Sequence, residues 1–254
     1  MSQNMAYIIE TKNQVMTFTI DRPHIRNAVN NEVMEGFEEL AKRTREEDIR
    51  YVIITATGEQ AFCSGGDLSV FHELKTEQQA WPMLSRMGEA LYRIKTIPVP
   101  VIALVNGTAV GGGCEIATAC DYRLVKSHAK CGFIQGTLAI TSGWGGGTYL
   151  FETLKHDAAL KMLGDARAYS AGELLENGWA SAIIEEDGDI ERFLASMNRV
   201  LPSVHRAYKE IAIRKWQETN LKQRVDQEIR ECARLWAQEA HHQAVDGFLN
   251  KSKK

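Results

Sequence analysis

Glu115 is the acid whose surroundings stand out in this chain. It follows Gly111-Gly112-Gly113-Cys114 and is flanked by Ile116, Ala117, Ala119 and Cys120. A carboxylate among apolar neighbours loses hydration, so its pKa rises and it becomes usable as a general acid or base near neutrality. The same position equally suits a helix N-terminal glutamate held by the macrodipole. Two glycine-rich segments, Ser64-Gly65-Gly66-Asp67 and Gly111-Gly112-Gly113, each follow an apolar run. Glycine permits positive φ and close backbone approach, so such turns can aim N–H groups at one ligand atom. The second segment opens a helix, whose N-terminal partial charge adds to the effect. The alternative is that both are simply tight turns.

Other chemistries are excluded by spacing. Gly107 to Gly112 has the Walker interval, but Gly113-Cys114 stands where Lys-Ser/Thr is required. Gly143-Trp144-Gly145-Gly146-Gly147 misses the dinucleotide pattern, and neither Ser64 nor Ser142 sits in a GxSxG elbow. The seven histidines form no HExxH pair, so no metal is expected. Cys63, Cys114, Cys120, Cys131 and Cys232 include no CxxC and read as reduced thiols, which points to the cytoplasm.

The elements that must position these residues follow from periodicity. Tyr7 to Ile20 reads as a hairpin turning at Lys12-Asn13, because Met16, Phe18 and Ile20 alternate with threonines. Asn30 or Asn31 caps a helix with the apolar face Val33, Phe37, Leu40 and Ala41. Tyr51 to Ala56, Val99 to Val105 and Asp121 to Val125 are strands, the first two buried on both faces. A helix from about Gln79 to Lys95, a glycine-rich turn over Asn106 to Gly113 and a helix begun by Cys114 to Cys120 separate them. This recurrence predicts stacked β-β-α turns. Ser170-Ala171-Gly172-Glu173 is a capping box, with Gly178 as the C-cap. Asp189 to Leu201, Val204 to Gln217 and Leu221 to Ala240 read as amphipathic helices. The composition shift near Gly188 divides the chain into a core, residues 1–188, and a helical region, residues 189–254.

The 254 residues are 44% hydrophobic and 25% charged, enough for a full buried core. Lys+Arg 30 against Asp+Glu 33, with a pI near 6.2, argues against a nucleic-acid partner. Met1-Ser2-Gln3-Asn4 lacks the charge and apolar core of a signal peptide, and no apolar run reaches the ~20 residues of a membrane span. The tail from Lys251 to Lys254 reads as solvated.

Phe62-Cys63-Ser64-Gly65-Gly66-Asp67-Leu68, and Val105-Asn106-Gly107-Thr108-Ala109-Val110-Gly111-Gly112-Gly113-Cys114-Glu115 continuing to Asp121, resemble the two signature blocks of the crotonase (enoyl-CoA hydratase/isomerase) superfamily. Arg22-Pro23 with Arg26-Asn27-Ala28-Val29, and the Gly164 to Gly178 region, are similar to further segments of that family. The resemblance implies an α/β spiral of β-β-α turns with a C-terminal helical trimerisation region, assembled as a homotrimer or dimer of trimers. It implies an acyl-CoA thioester as substrate, coenzyme A being part of that substrate and no separate cofactor being needed. By position, the Gly66 and Gly112 N–H groups would form an oxyanion hole, a device in which losing one donor typically costs ~3–4 kcal/mol of transition-state stabilisation. CoA would lie along Arg26, Ala28, Ser64 and Leu68, with Gly65, Asp67, Gly111 and Gly143 lining the site. Phe248 and Lys251 resemble the C-terminal aromatic and lysine that contact the nucleotide end.

One departure changes the expected chemistry. Aligning Ala129 to Gln135 with the segment that carries the second catalytic glutamate of family hydratases puts Gln135 in its place. Glutamine does not ionise, although its amide can orient water or bind a carbonyl. Ser142-Gly143-Trp144-Gly145-Gly146 replaces the usual loop, and Trp144 is expected to narrow the acyl pocket. Three readings follow: an enoyl-CoA hydratase/isomerase relying on Glu115 alone, a decarboxylase of a malonyl- or alkylmalonyl-type CoA, and a weakly catalytic acyl-CoA-binding subunit.

Overall fold

Alternation along the first strands decides what faces inward. In β2 (Val15–Ile20), Met16, Phe18 and Ile20 are fully buried while the residues between them are half-exposed, the period-two outcome of a pleated strand. β2 pairs antiparallel with β1 (Tyr7–Lys12), Lys12 opposite Val15. The turn is Asn13-Gln14, with φ of 51° and 63°, one residue later than the Lys12-Asn13 expected. Two left-handed central residues give the hairpin the twist of its strands, and register follows from that requirement. The computed structural model describes residues 5–251. The expectations for Met1 to Asn4 and for Ser252 to Lys254 fall outside the described residues.

β3 (Tyr51–Ala56), β5 (Val101–Val105), β7 (Tyr122–Lys126) and β10 (Ala182–Ile184) extend this sheet in parallel, in the order β1-β2-β3-β5-β7-β10. The short strands β4 (Ala61–Cys63), β6 (Thr108–Val110), β8 (Lys130–Gly132) and β9 (Tyr169–Ser170) form a second sheet in that order. β3, β5 and β7 are therefore each followed by a short strand of the other sheet, β4, β6 and β8, which is the expected spiral of β-β-α turns. Asn106 to Gly113 is accordingly not a single turn. Asn106 Nδ2 donates to the Ala56 carbonyl at 2.7 Å, and a Cβ on Gly107 would lie 2.6 Å from Ala61 N. These two residues turn the corner so that Thr108 to Val110 can pair between β4 and β8.

The helices start where caps dictate. Asn30 accepts from Val33 N at 3.0 Å and opens α1 (Asn31–Glu46), burying Val33, Phe37, Leu40 and Ala41 as the spacing predicted. Asp67 caps the single turn α2 (Leu68–Phe71), and a Thr76/Gln79 capping box opens α3 (Glu77–Lys95). α4 (Gly112–Ala119) and α5 (Gly146–Thr153) have glycine N-caps and so depend on side chains elsewhere. α6 (His156–Gly164) follows, and the Ser170/Glu173 capping box opens α7 (Ala171–Glu176), which Gly178 at φ 82° ends.

The helical C-terminal region comprises α8 (Asp187–Asn198), α9 (Pro202–Glu218), α10 (Leu221–Trp236) and α11 (Glu239–Lys251). The last helix is absent from the sequence reading, which ran one helix to Ala240. The break is tertiary in origin: Trp236 Nε1 donates to Leu74 O at 2.7 Å, and the His241 ring contacts Leu138 O at 2.7 Å, drawing the chain across the 3₁₀ turn Gln135–Leu138. Leu221, Val225, Ile229, Cys232 and Trp236 extend the main core, and α10 approaches α3 so closely that a Cβ on Gly88 would meet Ile229 Cδ1 at 2.2 Å. Among the described residues no helix is long and apolar enough to cross a membrane.

Candidate active site

The two glycine segments named by the sequence lie against each other. A Cβ on Gly65, at φ 103°, would sit 3.3 Å from Gly112 N, and one on Gly113 would sit 2.0 Å from the Cys63 carbonyl oxygen. This approach is what excludes larger residues there. Ser64 N donates to Arg26 O (3.1 Å), Val29 N to Gly65 O (2.8 Å) and Asp67 N to Val29 O (2.9 Å), so the Arg26 to Val29 segment runs alongside the Ser64 to Asp67 turn. Asn27 anchors that segment through Nδ2 to Ala61 O (2.7 Å) and Thr57 O (3.0 Å). Asp67 is held by Arg22 Nη1 at 2.9 Å and caps α2 by accepting from Ser69 N at 3.0 Å. Arg26, Ala28, Ser64, Gly65, Asp67 and Leu68 thus share one ridge. Among the described residues neither the Gly66 nor the Gly112 N–H donates a hydrogen bond, and the latter is one of the helix-start donors that lack an intrahelical partner.

Trp144 faces this pair. Its Cζ3 lies 2.1 Å from where a Gly112 Cβ would be, and its Cζ2 lies 3.7 Å from the corresponding point on Gly66. The indole is buried and Phe71 packs beside it on Gly66. The ring therefore packs directly against both glycines.

Glu115 projects from the first turn of α4 and is 2% exposed. Its Oε1 accepts from Gln135 Nε2 (2.8 Å) and Gly143 N (3.2 Å), and its Oε2 from Trp144 N (2.8 Å) and Gly146 N (2.9 Å). Burial is the main force on its pKa, the charge of Glu228 adds to it, and the three backbone donors oppose both; the result is about 7. A Cβ on Gly146 would strike Glu115 Cγ at 2.4 Å, so the glycine there admits the carboxylate. Gln135 is buried and, among the described residues, its Oε1 has no hydrogen-bond partner. Gly111, at φ 55°, brings its backbone to the Gln135 amide; a Cβ there would lie 3.9 Å from Cδ.

Glu228 is the residue that sequence reasoning missed. From α10 it accepts from Ser142 Oγ (2.6 Å), Gly147 N (3.0 Å), Thr148 N (2.7 Å) and Thr148 Oγ1 (2.5 Å). Its burial raises its pKa, against these donors. A signal existed: Leu221, Val225, Glu228 and Cys232 lie on one helical stripe at i, i+4, i+7 and i+11, where an apolar residue is expected. Phe248 lies half-exposed on α11. Lys251 ends α11, and its side chain lies outside what the structure describes.

A family model described as Enoyl-CoA hydratase/isomerase matches residues 10–254. The chain is 28% identical over 250 residues to the short-chain-enoyl-CoA hydratase of Clostridium acetobutylicum, covering 97% of this chain and 95% of that one. It is 30% identical over 206 residues to the ethylmalonyl-CoA decarboxylase of Xenopus tropicalis, covering 79% of this chain and 69% of that one. Among solved structures, carnitinyl-CoA hydratase from Mycobacterium avium matches with a TM-score of 0.82 and 27% identity, over 98% of this chain and 97% of that one.

Proposed function

The chain belongs to the enoyl-CoA hydratase/isomerase family and is an acyl-CoA-processing enzyme; from that premise we propose that it hydrates an enoyl-CoA with Glu115 as its one acid/base group. The carrying observation is the buried pair of Glu115 and Gln135, joined at 2.8 Å, with Gln135 Oε1 left as an open acceptor. A water donating to Gln135 Oε1 and to Glu115 would be held for attack. Its oxygen bonds to Cβ, its proton passes to Glu115, and the electron pair of the double bond moves through Cα to the thioester oxygen. The Gly66 and Gly112 N–H groups meet the charge that develops there. Glu115 then returns the proton to Cα, so one carboxylate serves both transfers.

A second reading rests on the same Gln135 and on Trp144. Decarboxylation of an alkylmalonyl-type CoA needs the enolate site and one proton donor, with no second carboxylate. The bond to the departing CO₂ breaks, its electron pair moves toward the thioester oxygen, and protonated Glu115 delivers a proton to Cα. Similarity to a decarboxylase supports this alternative as well. The two readings require opposite charge states of a group whose pKa is about 7. As a base in hydration Glu115 must be ionised, so kcat/KM falls as pH drops below about 7; as an acid in decarboxylation it must be protonated, so the rate falls above it. Turnover of crotonyl-CoA and ethylmalonyl-CoA across pH 5–9 is the test. Hydration with an acidic limb is expected; CO₂ release with a basic limb establishes the second reading, and tight thioester binding with neither reaction leaves a binding subunit.

The assembly proposed is a homotrimer or a dimer of trimers. In the helical region Trp216 is buried in the chain's own core, Ile213 and Leu235 pack against that core, and Ile211 is 54% exposed. Leu201, Val204, Tyr208 and Ile211, at intervals of three and four, form an exposed apolar stripe at the start of α9. Light scattering is expected to give three or six times the chain mass, and Tyr208→Glu with Ile211→Glu to reduce it. A wild-type monomer at micromolar concentration overturns the proposal.

A further inference from the structure

The three backbone donors to Glu115 come from one turn, Ser142 to Gly146. That turn and the start of α5 contain Gly143, Gly145, Gly146 and Gly147. Glycine gives such a segment the largest backbone entropy to lose, so its sequence does not favour the observed shape over others. Nor does α5 cap itself, because Gly145 at φ 92° offers no side chain.

α10 supplies what the turn lacks. Glu228 Oε1 accepts from Ser142 Oγ before the turn and Gly147 N after it, while Oε2 accepts from the backbone and hydroxyl of Thr148. Ser142 Oγ also accepts from Gly147 N at 3.1 Å, closing the loop across its base. The same helix face moulds the rest. A Cβ on Gly143 would meet Cys232 Sγ at 2.8 Å, and one on Gly145 would meet Val225 Cγ1 at 2.8 Å. Val225, Glu228 and Cys232 are therefore a template, with Glu228 as its polar centre and as the cap of α5. Among the described residues no Lys or Arg pairs with Glu228 or with Glu115. Among the described residues the titratable groups around the two carboxylates are each other, Cys114, Tyr149 and Cys232.

We propose that Glu228 is a positioning residue: it holds the Ser142 to Thr148 turn in the shape that presents the Gly143, Trp144 and Gly146 N–H groups to Glu115 and the Trp144 indole to Gly112. The inference rests on the reading of Glu115 as the acid/base. Glu228 itself takes no step in the proposed reaction. Its effect on catalysis is transmitted through geometry, and misplacement by about 1 Å at such a site costs on the order of 10²-fold in rate.

The experiment combines amide hydrogen exchange with steady-state kinetics on the full chain. Glu228→Ala is expected to speed exchange across 142–148 by about tenfold or more, with strands β3 and β5 unchanged, and to lower kcat by on the order of 10²-fold with KM changed much less. Glu228→Asp, which keeps the charge on a shorter arm, is expected to restore part of both. If Glu228→Ala does not fold, Ser142→Ala and Thr148→Val each remove a partner of Glu228 while leaving the residue in place, and are expected to move both readouts in the same direction. Exchange over 142–148 that matches wild type, or faster exchange with an unaltered kcat, overturns the proposal. Turnover that survives Glu115→Gln sinks the catalytic reading instead, and the exchange result is independent of it.

Discussion

Glu115→Gln is expected to lower turnover by roughly 10²–10⁴-fold, the range of general acid–base catalysis, with KM for the CoA thioester nearly unchanged. The limb of the pH profile near 7 is expected to vanish with it. The size follows from how few groups can substitute. Gln135 does not ionise. Glu228 is occupied by Ser142, Gly147 and Thr148. Burial lifts the Tyr149 hydroxyl well above its usual range and the Cys63 thiol to about 12, which leaves both protonated. Gln135→Glu examines the same division of labour from the other side. It would put a second carboxyl beside Glu115, at a position where the present amide lies at 2.8 Å. Like charges that close do not both ionise, so the pair would share a proton near neutrality, one member orienting water and the other protonating carbon. Hydration of crotonyl-CoA is expected to rise, and to rise further with Trp144→Ala if the indole obstructs the acyl group. Stopped-flow or steady-state hydration assays decide it. Family-typical speed in wild type with no gain from Gln135→Glu would mean that another carboxylate, or Glu115 alone, already performs both transfers efficiently.

What was legible from the residues was local. Glu115 follows Gly111, Gly112 and Gly113 within four positions, so helix start, carboxylate and N–H donors could be read together. Asn30, Ser170 and the alternation of Met16, Phe18 and Ile20 likewise carry their structural meaning within a few residues. Gln135 was reached only through the resemblance, since nothing near it in the chain announces a neighbour on α4. The parts that escaped depend on distant partners. Thr108 to Val110 is a strand because β4 and β8 flank it. α11 is separate from α10 because Leu74 and Leu138 accept bonds from across the molecule. Glu228 lies 86 positions after Ser142, and its one local trace, a charge on an apolar stripe, is more often a solvated edge.

Gly112→Ala is expected to cost kcat/KM on the order of 10²-fold, because the added methyl meets the indole and displaces the proposed oxyanion hole by a fraction of an ångström to about one. The obstacle is specific: the new Cβ would lie 2.1 Å from Trp144 Cζ3 and 2.4 Å from Cη2, far inside van der Waals contact. Either the ring leaves Gly66 and Gly112, or the first turn of α4 shifts and carries Glu115 with it. Truncating the ring removes the cause, so Gly112→Ala with Trp144→Ala is expected to be more active than Gly112→Ala alone, a coupling that a double-mutant cycle reads directly. Gly113→Ala is the contrast. Its methyl would lie 2.0 Å from the Cys63 carbonyl oxygen, which is backbone, so no truncation relieves it. A loss of about 1–3 kcal/mol in stability or more is expected, with no rescue by Trp144→Ala. A thioester complex supplies the positional check: in wild type the Gly66 and Gly112 nitrogens are expected within ~3.1 Å of the thioester oxygen, and in Gly112→Ala at least one of them is not. If Gly112→Ala keeps wild-type kcat/KM, or if the double variant is no better than the single one, the indole does not bear on the oxyanion hole and the two glycines owe their place to packing alone.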